Sequence, residues 1–327
     1  MLSPTARILV VRLSAVGDVV NTLPAIGALR SAYPRAFIGW VVEDRAFDLI
    51  RDHPALDRVH LFPRRRWVRD WRAAVREAPR LIRELRAQRY DLALDFQGNL
   101  KSTLHALASG ASLRIGFARG YCKEGSHLFT HKRTTPPPDR PHRIDKNVSL
   151  VAALGVLVQE VTFSIPRSPE SHSRVTAFLT ERNLGRFAIV HPGTSGRGRD
   201  KRWVPERFGE LCRLLPLPCV VTWGPGERSL AGAVAEQGGA ILAPATPSLL
   251  DVTELLRHAA LFIGCDSGPM RLADAVGTPS VVLFGPTDPA VHGPYAVPHR
   301  VVYKKGRGMA SISVAEVHAA ATEMLSL

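Results

Sequence analysis

Short apolar runs alternate with longer amphipathic stretches along the whole chain. In the first half, the apolar runs predict buried strands at residues 8–11, 37–42, 59–62, 92–95 and 113–117. Helical spacing of apolar positions predicts helices at about 18–31, 71–88 and 145–153. Segment 134–141 contains three consecutive prolines and predicts a stiff loop. This alternation of strands and helices is typical of an α/β fold with a parallel sheet covered on both faces.

The same alternation restarts after segment 164–171, whose prolines and polar residues predict an interdomain linker. Predicted strands follow at 187–190, 219–222, 261–264 and 280–284, with helices at 206–215, 227–237, 249–258 and 270–276. A last helix, 314–327, is compatible with packing on either half. Because single cores stop growing near about 250–300 residues, we predict two doubly wound domains, 1–165 and 166–327. The ligand is expected at the carboxyl ends of their strands.

Composition narrows the range of partners. The chain has 327 residues, 45% of them hydrophobic, and a net charge of +14. This charge indicates nucleic acid, an anionic membrane face or a phosphorylated substrate as partner, although a GC-rich genome also enriches arginine. The four cysteines form no CxxC pair or zinc pattern, which favours reduced thiols in the cytoplasm. The N-terminal run predicts a strand and helix and not a signal peptide, and no apolar stretch is long enough to span a membrane.

The first candidate site follows the first predicted strand. Gly17 permits a tight turn there, and Asp18 opens the next helix. Asp at a helix start is most often an N-cap, and from position alone this interpretation is favoured. The alternative is a general base at the carboxyl edge of the sheet. Both roles are compatible, because capping uses only one carboxylate oxygen.

Two glycine-containing turns follow strands of the second half. Thr194 and Ser195 lie in a turn whose N–H groups suit phosphate, and Lys201 offers a mobile charge to a diphosphate. The alternative is a solvated loop. The later turn nearly matches GxGxxG but has Ser229 at the third glycine position. Glu227 in that turn either opens a helix or binds ribose hydroxyls.

Two further candidates concern anion binding. Asp266, Ser267 and Gly268 start a helix that carries Arg271, and small residues at a helix start favour an anion site, with an N-capping Asp as the alternative. The basic run 64–67, together with Arg69, is either a solvated charged face or a surface that captures an anionic acceptor or lipid headgroup.

Together these motifs resemble the family 9 glycosyltransferases, the ADP-heptose:lipopolysaccharide heptosyltransferases, over nearly the whole chain. The resemblance rests on segments 12–18, 40–43, 91–98, 191–203, 266–268 and 284–289, in that order. It implies two Rossmann-like domains facing across a cleft, the B-type glycosyltransferase fold. The N-terminal domain is then expected to bind the acceptor and the C-terminal domain the nucleotide sugar.

The resemblance also implies roles for individual residues. Asp18 is expected to be the catalytic base, and Lys201 to assist departure of the diphosphate. The expected donor-binding residues are Thr194, Ser195, Lys201, Glu227, Asp266, Ser267, Gly268 and Arg271. The expected acceptor-side cations are Arg65, Arg66, Arg69 and Lys123. The family commonly has histidine where this chain has Arg271, so the donor preference or binding strength is expected to differ.

The expected reaction is inverting transfer of heptose from ADP-heptose to the Kdo-containing inner core of lipopolysaccharide. No DxD motif follows a strand, so metal-independent transfer without a cofactor is predicted. The expected partners are the nucleotide sugar, a lipid-linked anionic saccharide and the cytoplasmic face of the inner membrane, with no nucleic acid. The main alternative is the same fold acting on another nucleotide sugar or acceptor, such as a second heptose. A nicotinamide-dependent oxidoreductase is disfavoured by the incomplete glycine motif, and a nucleic-acid-binding protein by the lack of a recognisable module.

Overall fold

Two units, each built around its own six-stranded parallel sheet, make up the chain. The computed structural model describes residues 2–326. The first unit ends at Pro166 and the second begins at Arg167. Both sheets have the strand order of a Rossmann-like fold, which confirms the prediction of two doubly wound α/β halves.

The sheet of the first unit has strand order β3-β2-β1-β4-β5-β6. Its strands are β1 (Arg7–Val11), β2 (Phe37–Glu43), β3 (Arg58–Phe62), β4 (Leu92–Asp95), β5 (Leu113–Phe117) and β6 (Lys132–Thr134). All neighbouring pairs are parallel, so every strand ends at the same edge. The strand order reverses between β1 and β4, where ligands of doubly wound sheets bind.

The helices of the first unit differ from the sequence prediction in four places, one of them the unpredicted short helix Phe47–Ile50. They are α1 (Val16–Val20), α2 (Leu23–Ala32), α3 (Phe47–Ile50), α4 (Arg64–Arg69), α5 (Trp71–Ala87), α6 (Leu100–Ala108) and α7 (Arg143–Ala152). The single helix expected at 18–31 is divided into α1 and α2. Pro24 lies in the first turn of α2, a position that favours the start of a new helix. The basic run forms the short helix α4. Helix α6 was not predicted; it begins at a capping box formed by Asn99 and Ser102.

The second unit repeats the same winding, with strand order β12-β11-β10-β7-β8-β9. Its strands are β7 (Ala188–His191), β8 (Cys219–Val221), β9 (Ile241–Leu242), β10 (Leu261–Cys265), β11 (Ser280–Phe284) and β12 (His299–Tyr303). Here the order reverses between the neighbours β7 and β10. The loops that follow these two strands carry most of the predicted donor-binding residues.

The helices of the second unit correct the end of the predicted linker and include two that were not predicted, Pro169–Glu181 and Pro289–His292. They are α8 (Pro169–Glu181), α9 (Pro205–Leu214), α10 (Arg228–Gly238), α11 (Leu249–His258), α12 (Gly268–Val276), α13 (Pro289–His292) and α14 (Val314–Leu325). The predicted linker 164–171 is wrong over its last residues, because α8 already begins at Pro169. The Ser168 hydroxyl caps that helix by accepting the Ser171 N–H at 3.2 Å. Helix α14 packs against β10, β11, β12 and α9 of its own unit.

The central strands of both sheets are buried on both faces, which explains why they are continuous apolar runs. In the second unit, Trp203 is fully buried and donates its indole N–H to the Ile312 carbonyl at 2.9 Å, which fixes the segment before α9. None of the helices between residues 2 and 326 combines the length and the apolar character that crossing a bilayer requires.

Candidate active site

Asp18 lies in the first turn of α1, directly beyond the carboxyl end of β1. The N-cap of α1 is Ala15, so the capping role favoured for Asp18 is wrong. The Asp18 carboxylate instead pairs with Arg12, whose Nη2 lies 2.8 Å from Oδ2. The Asp18 side chain remains 38% exposed, whereas the Arg12 side chain is 9% exposed. The carboxylate is therefore held by a buried cation and still accessible to solvent.

Arg12 is fixed by contacts at both ends of the residue. Its Nη1 donates to the Phe96 carbonyl at 2.6 Å, and its own carbonyl accepts the Trp40 indole N–H at 2.9 Å. Within residues 2–326, the buried Nε of Arg12 has no hydrogen-bond partner. A buried guanidinium is costly unless its charge is matched, so the ion pair with Asp18 compensates this site.

A turn after β4 ties the central strands of the first sheet together. Asp95 ends β4, and its carboxylate accepts the Gln97 N–H at 3.0 Å and the Ser102 hydroxyl at 2.9 Å. Burial raises the pKa of Asp95 despite these hydrogen bonds. The side-chain carbonyl of Gln97 then accepts the N–H groups of Leu13 and Ser14, at 2.8 and 3.2 Å. The loop that carries Asp18 is thereby anchored to the end of β4.

Lys146, on α7, adds a cation that the sequence did not indicate. Burial lowers the pKa of its ammonium to about 8, and the charges of Arg12 and Asp18 both act on it. Its Nζ lies 4.3 Å from the centre of the Phe117 ring and donates to the Tyr121 carbonyl. A partly buried cation with a lowered pKa therefore belongs to the same edge of the sheet as Asp18.

Three of the predicted acceptor-side cations, Arg65, Arg66 and Arg69, lie on α4 and are exposed. Helix α4 follows β3, so these arginines stand at the carboxyl edge of the first sheet. Arg66 pairs with Glu77 of α5 at 3.0 Å, and its guanidinium stays largely in solvent. Exposed ion pairs of this kind stabilise little, which leaves the arginines available to an anionic ligand.

The fourth predicted acceptor-side cation, Lys123, is also exposed and lies in the loop after β5. Its backbone N–H donates to the Gly98 carbonyl at 2.7 Å, which fastens this loop to the turn after β4. The first sheet thus brings Asp18 and the loop of Lys123 to one edge, with α4 farther along it.

In the second unit, Glu227 joins the two glycine-containing loops. Its Oε1 accepts the Thr194 N–H at 3.0 Å and lies 2.7 Å from Arg202 Nη2, and its Oε2 accepts the Gly224 N–H at 3.1 Å. A Cβ added to Gly193 would lie 2.1 Å from Glu227 Oε2, so a larger residue fits there only if the Glu227 carboxylate moves. A carboxylate offers about four acceptor positions, so this one retains capacity for a further hydroxyl.

The hydroxyls of Thr194 and Ser195 differ in accessibility. Thr194 is buried; its hydroxyl donates to the Gly198 carbonyl at 2.7 Å and accepts from Arg202 Nε at 3.0 Å. Ser195 is exposed and precedes the 3₁₀ helix Gly196–Lys201. Thr194 therefore shapes the loop from within, whereas Ser195 lies on its surface.

Lys201 and Asp266 form an ion pair, with Nζ 2.7 Å from Oδ2. The Thr287 hydroxyl donates to the same oxygen at 3.0 Å, and Arg271 Nη2 lies 3.5 Å from Oδ1. An isolated carboxylate would repel a phosphate group, but two cations neutralise this one. Asp266 therefore holds the ammonium of Lys201 in place, and the Lys201 side chain stays 27% exposed.

Arg271, which stands where the resemblance leads us to expect histidine, is buried. Its guanidinium donates to the carbonyls of Gly293 and His292, at 2.5 Å in the case of Gly293. These contacts, with the one to Asp266, connect α12 to the turn after α13. Only an extended, multidentate side chain makes all three contacts at once.

The start of α12 presents the donors expected of an anion site. Ser267 is the N-cap residue and Gly268 the first residue of the helix. Ser267 makes no side-chain capping bond, and its buried hydroxyl has no hydrogen-bond partner within the described part of the chain. The first N–H groups of a helix lack intrahelical partners and carry a partial positive charge. This end of α12 adjoins the Lys201–Asp266 pair.

Sequence reasoning missed several residues that hold these loops. Arg12 and Asp95 had a recognisable signal, because each is a charged residue at the end of an apolar strand. Arg202 adjoins Lys201 but was assigned no role. Lys146 and Thr287 carried no comparable signal, because their contacts lie far along the chain.

Two Rossmann-like units, with a lysine beside a helix start in one and a carboxylate held by a buried arginine in the other, are the arrangement expected of a nucleotide-sugar glycosyltransferase. Residues 78–316 match the model of glycosyltransferase family 9 (heptosyltransferase), and the chain belongs to this family.

Relatives and solved structures agree with this assignment. Lipopolysaccharide heptosyltransferase 1 of Escherichia coli strain K12 is 29% identical over 297 residues, covering 88% of this chain and 91% of the relative. The Pseudomonas aeruginosa protein of the same name is 29% identical over 302 residues, covering 88% and 81%. The structure of E. coli heptosyltransferase WaaC with ADP has a TM-score of 0.80 at 26% identity, covering 97% and 99% of the two chains.

Proposed function

We propose that this enzyme transfers heptose from ADP-heptose to the Kdo-containing inner core of lipopolysaccharide, with inversion and without a metal ion. The observation that carries the proposal is the ion pair between Lys201 and Asp266 beside the free start of α12. The names of the relatives support the acceptor class. WaaC, solved with ADP and with ADP-2-deoxy-2-fluoro heptose, supports the donor.

For the donor, we propose that the diphosphate binds Lys201 and the first N–H groups of α12, including that of Gly268. The Ser267 hydroxyl then donates to a phosphate oxygen, and Ser195 lines the approach. Asp266 holds Lys201 in place, and the remaining acceptor capacity of Glu227 binds a ribose hydroxyl. Backbone N–H groups and a lysine together form a preorganised diphosphate site.

Two donor-side residues act through their neighbours. The Thr194 hydroxyl is engaged by Arg202 and the Gly198 carbonyl, so its role is to hold the loop of Ser195. Arg271 steadies Asp266 and the turn at His292. Arginine in place of the family's histidine at position 271 is therefore proposed to change donor affinity by changing the position of Asp266.

In the catalysed step, Asp18 accepts the proton of the acceptor hydroxyl while that oxygen attacks the anomeric carbon of the heptose. A new carbon–oxygen bond forms as the bond to the ADP oxygen breaks, which inverts the anomeric centre. Lys201 and the start of α12 neutralise the charge that develops on the departing diphosphate. Arg12 pairs with Asp18 Oδ2 and so holds the carboxylate at the end of β1.

For the acceptor, we propose that Arg65, Arg66, Arg69 and Lys123 bind the carboxylates and phosphates of the inner core. Guanidinium groups match both anions in a bidentate manner. Lys146 adds a cation close to Asp18, where the reacting hydroxyl has to lie. In this proposal, the excess of basic residues binds an anionic saccharide and not a nucleic acid.

The junction of α4 and α5 supports attachment to the cytoplasmic face of the inner membrane. Val68 near the end of α4 and Trp71 and Val75 in α5 are exposed by 71%, 69% and 63%. The exposed arginines Arg72 and Arg76 accompany them. Exposed apolar side chains among arginines favour binding to an anionic lipid interface, so the enzyme is proposed to be a peripheral cytoplasmic protein.

Calorimetry tests the donor first. We expect ADP to bind at least tenfold more tightly than UDP or GDP, with the same affinity in EDTA and in Mg²⁺. Transfer of labelled heptose to a Kdo-bearing lipid acceptor then tests the reaction, and the anomeric configuration of the product tests inversion. Retention of configuration, or turnover that requires Mg²⁺, contradicts the proposed mechanism.

Arg271 favours one alternative, the same fold acting on a different nucleotide sugar or acceptor. A preference for UDP or GDP in the same titrations would establish another donor. Transfer only to an acceptor that already carries one heptose would establish addition of a second heptose.

Liposome co-sedimentation tests the membrane surface. Vesicles with anionic phosphatidylglycerol are expected to bind the wild type, and the double variant Val68→Ser/Trp71→Ser is expected to bind several-fold less. Leu157→Ser is the control, because Leu157 is 84% exposed and lies outside α4 and α5. Equal binding of all three proteins would refute this surface.

A further inference from the structure

A second group of chemically active side chains, assigned no role above, lies where α8 meets α11. His172 is on α8, and Glu254 and His258 are on α11. His172 Nδ1 lies 2.8 Å and His258 Nε2 lies 3.4 Å from the same oxygen, Glu254 Oε1. All three ligand atoms lie within 4.8 Å of one another.

Glu254 is the fixed member of this cluster. The residue is only 2% exposed, and its other oxygen, Oε2, is held by Arg257 Nη1 at 3.0 Å. The two carboxylate oxygens are thus divided between one arginine and two imidazoles. A ligand that is oriented by a neighbour in this way is typical of protein metal sites.

The histidines are the accessible members. The side chains of His172 and His258 are 56% and 38% exposed, so an ion reaches the cluster directly from solvent. In a tetrahedral zinc site with bonds of about 2.0–2.2 Å, neighbouring ligand atoms are roughly 3.3 Å apart. The two observed separations from Glu254 Oε1, 2.8 and 3.4 Å, lie on either side of this value. Zinc binding would adjust the two exposed imidazoles around the buried carboxylate.

We propose that His172 Nδ1, Glu254 Oε1 and His258 Nε2 form a Zn²⁺ site, with water as the fourth ligand. Two imidazoles and one carboxylate suit zinc better than the hard cations Mg²⁺ and Ca²⁺, which prefer oxygen ligands. The site is independent of the proposed sugar transfer, in which no metal takes part.

The consequence of zinc binding is structural. His172 lies near the start of α8, the first helix of the second unit, and is separated from Glu254 by 82 positions. Helix α11 leads into β10, whose end is followed by Asp266. An ion that joins α8 to α11 therefore links two distant parts of the chain, and binding to the folded state alone stabilises it by mass action.

The test uses the untagged full chain after removal of metals with a chelator and dialysis. Titration with ZnCl₂ is expected to show one saturable site, lost or weakened at least tenfold in His172→Ala and in His258→Ala. His318→Ala is the matched control, because His318 belongs to the same unit and its ring nitrogen Nε2 bonds to the Leu214 carbonyl, away from the cluster. At a hundredfold excess over Kd, zinc is expected to raise Tm of the wild type by about 5 °C or more.

Zinc X-ray absorption identifies the ligands directly. Two imidazoles and light oxygen neighbours support the site, whereas sulfur neighbours would place the ion on cysteines and overturn the proposal. Absence of stoichiometric binding, or equal binding by the double variant His172→Ala/His258→Ala, would also overturn it. Heptose transfer measured on the same proteins in EDTA reports separately on the catalytic proposal, so failure of one leaves the other standing.

Discussion

Arg12 Nη2 lies 2.8 Å from Asp18 Oδ2, and this pair joins a buried cation to a partly exposed carboxylate at the end of β1. The arginine is fixed by the Phe96 carbonyl, so it holds the carboxylate in one orientation. Asp18 thereby has a defined position without complete burial, which suits a group that exchanges a proton with an incoming hydroxyl.

Asp18→Asn is expected to abolish transfer and to weaken ADP binding no more than about threefold. The amide keeps the shape of the side chain but cannot accept the proton of the acceptor, a contribution of about 10²–10⁴ in rate for general bases. Single-turnover transfer and ADP calorimetry on the same preparation measure the two effects.

The matching control is Asp145→Asn, which removes a carboxylate from the first turn of α7. This variant is expected to keep near-normal turnover. If Asp18→Asn also turned over at the wild-type rate, Asp18 would serve only as the partner of Arg12.

Lys201→Met is expected to weaken ADP binding about tenfold to a hundredfold, because a charge that contacts the diphosphate is lost. Asp266→Asn frees Lys201 and is expected to lower kcat more than ADP affinity. In a double-mutant cycle, the two substitutions should be non-additive, since they share one contact.

A second lysine ion pair serves as the control for this cycle. Lys304 lies 2.8 Å from Glu316 on the surface of the same unit. The variants Lys304→Met and Glu316→Gln are expected to leave ADP affinity unchanged. Additive effects of the Lys201 and Asp266 variants would show that the pair does not act together on the donor.

Gly193→Ala is expected to reduce ADP affinity and to lower Tm. The new Cβ would lie 2.1 Å from Glu227 Oε2, so the carboxylate has to leave the N–H groups of Thr194 and Gly224. A hydrogen bond to a charged group contributes about 1.5–3 kcal/mol. Thermal unfolding and ADP titration measure both effects.

Gly232→Ala provides a control in α10 of the same unit. A Cβ at Gly232 meets no atom within 4 Å, and alanine favours a helix interior over glycine by about 0.5–1 kcal/mol. Its Tm is therefore expected to rise slightly with unchanged ADP binding. Equal behaviour of the two variants would contradict the role of the Glu227 contacts.

Lys146 is expected to make acceptor binding dependent on pH. Burial lowers the pKa of this ammonium from 10.5 to about 8, so the charge is present below pH 8 and is lost above it. KM for the anionic acceptor should therefore increase as the pH rises through about 8. Lys146→Arg keeps its charge throughout and should remove this increase.

The lowered pKa of Lys146 also makes the stability of the folded chain depend on pH. Between pH 8 and 10.5 the unfolded chain holds the proton of Lys146 more tightly than the folded chain. The contribution of Lys146 to the free energy of unfolding therefore rises with pH in this window. Lys146→Met should reduce that slope in urea unfolding measured at several pH values, and an unchanged slope would contradict the burial of the ammonium charge.

The order of most strands and helices was predictable from the sequence. The central strands of each sheet are buried on both faces, so they are continuous apolar runs that stand out from amphipathic helices. The strands β6 and β9 escaped prediction because they have only three and two residues. The edge strand β12 escaped prediction because it is only partly buried and mixes polar with apolar residues. The predicted linker overlapped α8, because a proline in the first helical turn resembles one in a loop.

The sequence by itself determined the two α/β halves. It also placed Asp18, Lys201, Glu227 and Asp266 in the segments that follow strands, because the carboxyl end of a strand fixes where the next segment begins. Only the tertiary structure decided what these side chains contact. Asp18 pairs with Arg12, Glu227 joins two loops and Asp266 holds Lys201. Most of these pairings join residues far apart in the chain, and packing of the sheets, which no local pattern encodes, brings them within hydrogen-bonding distance.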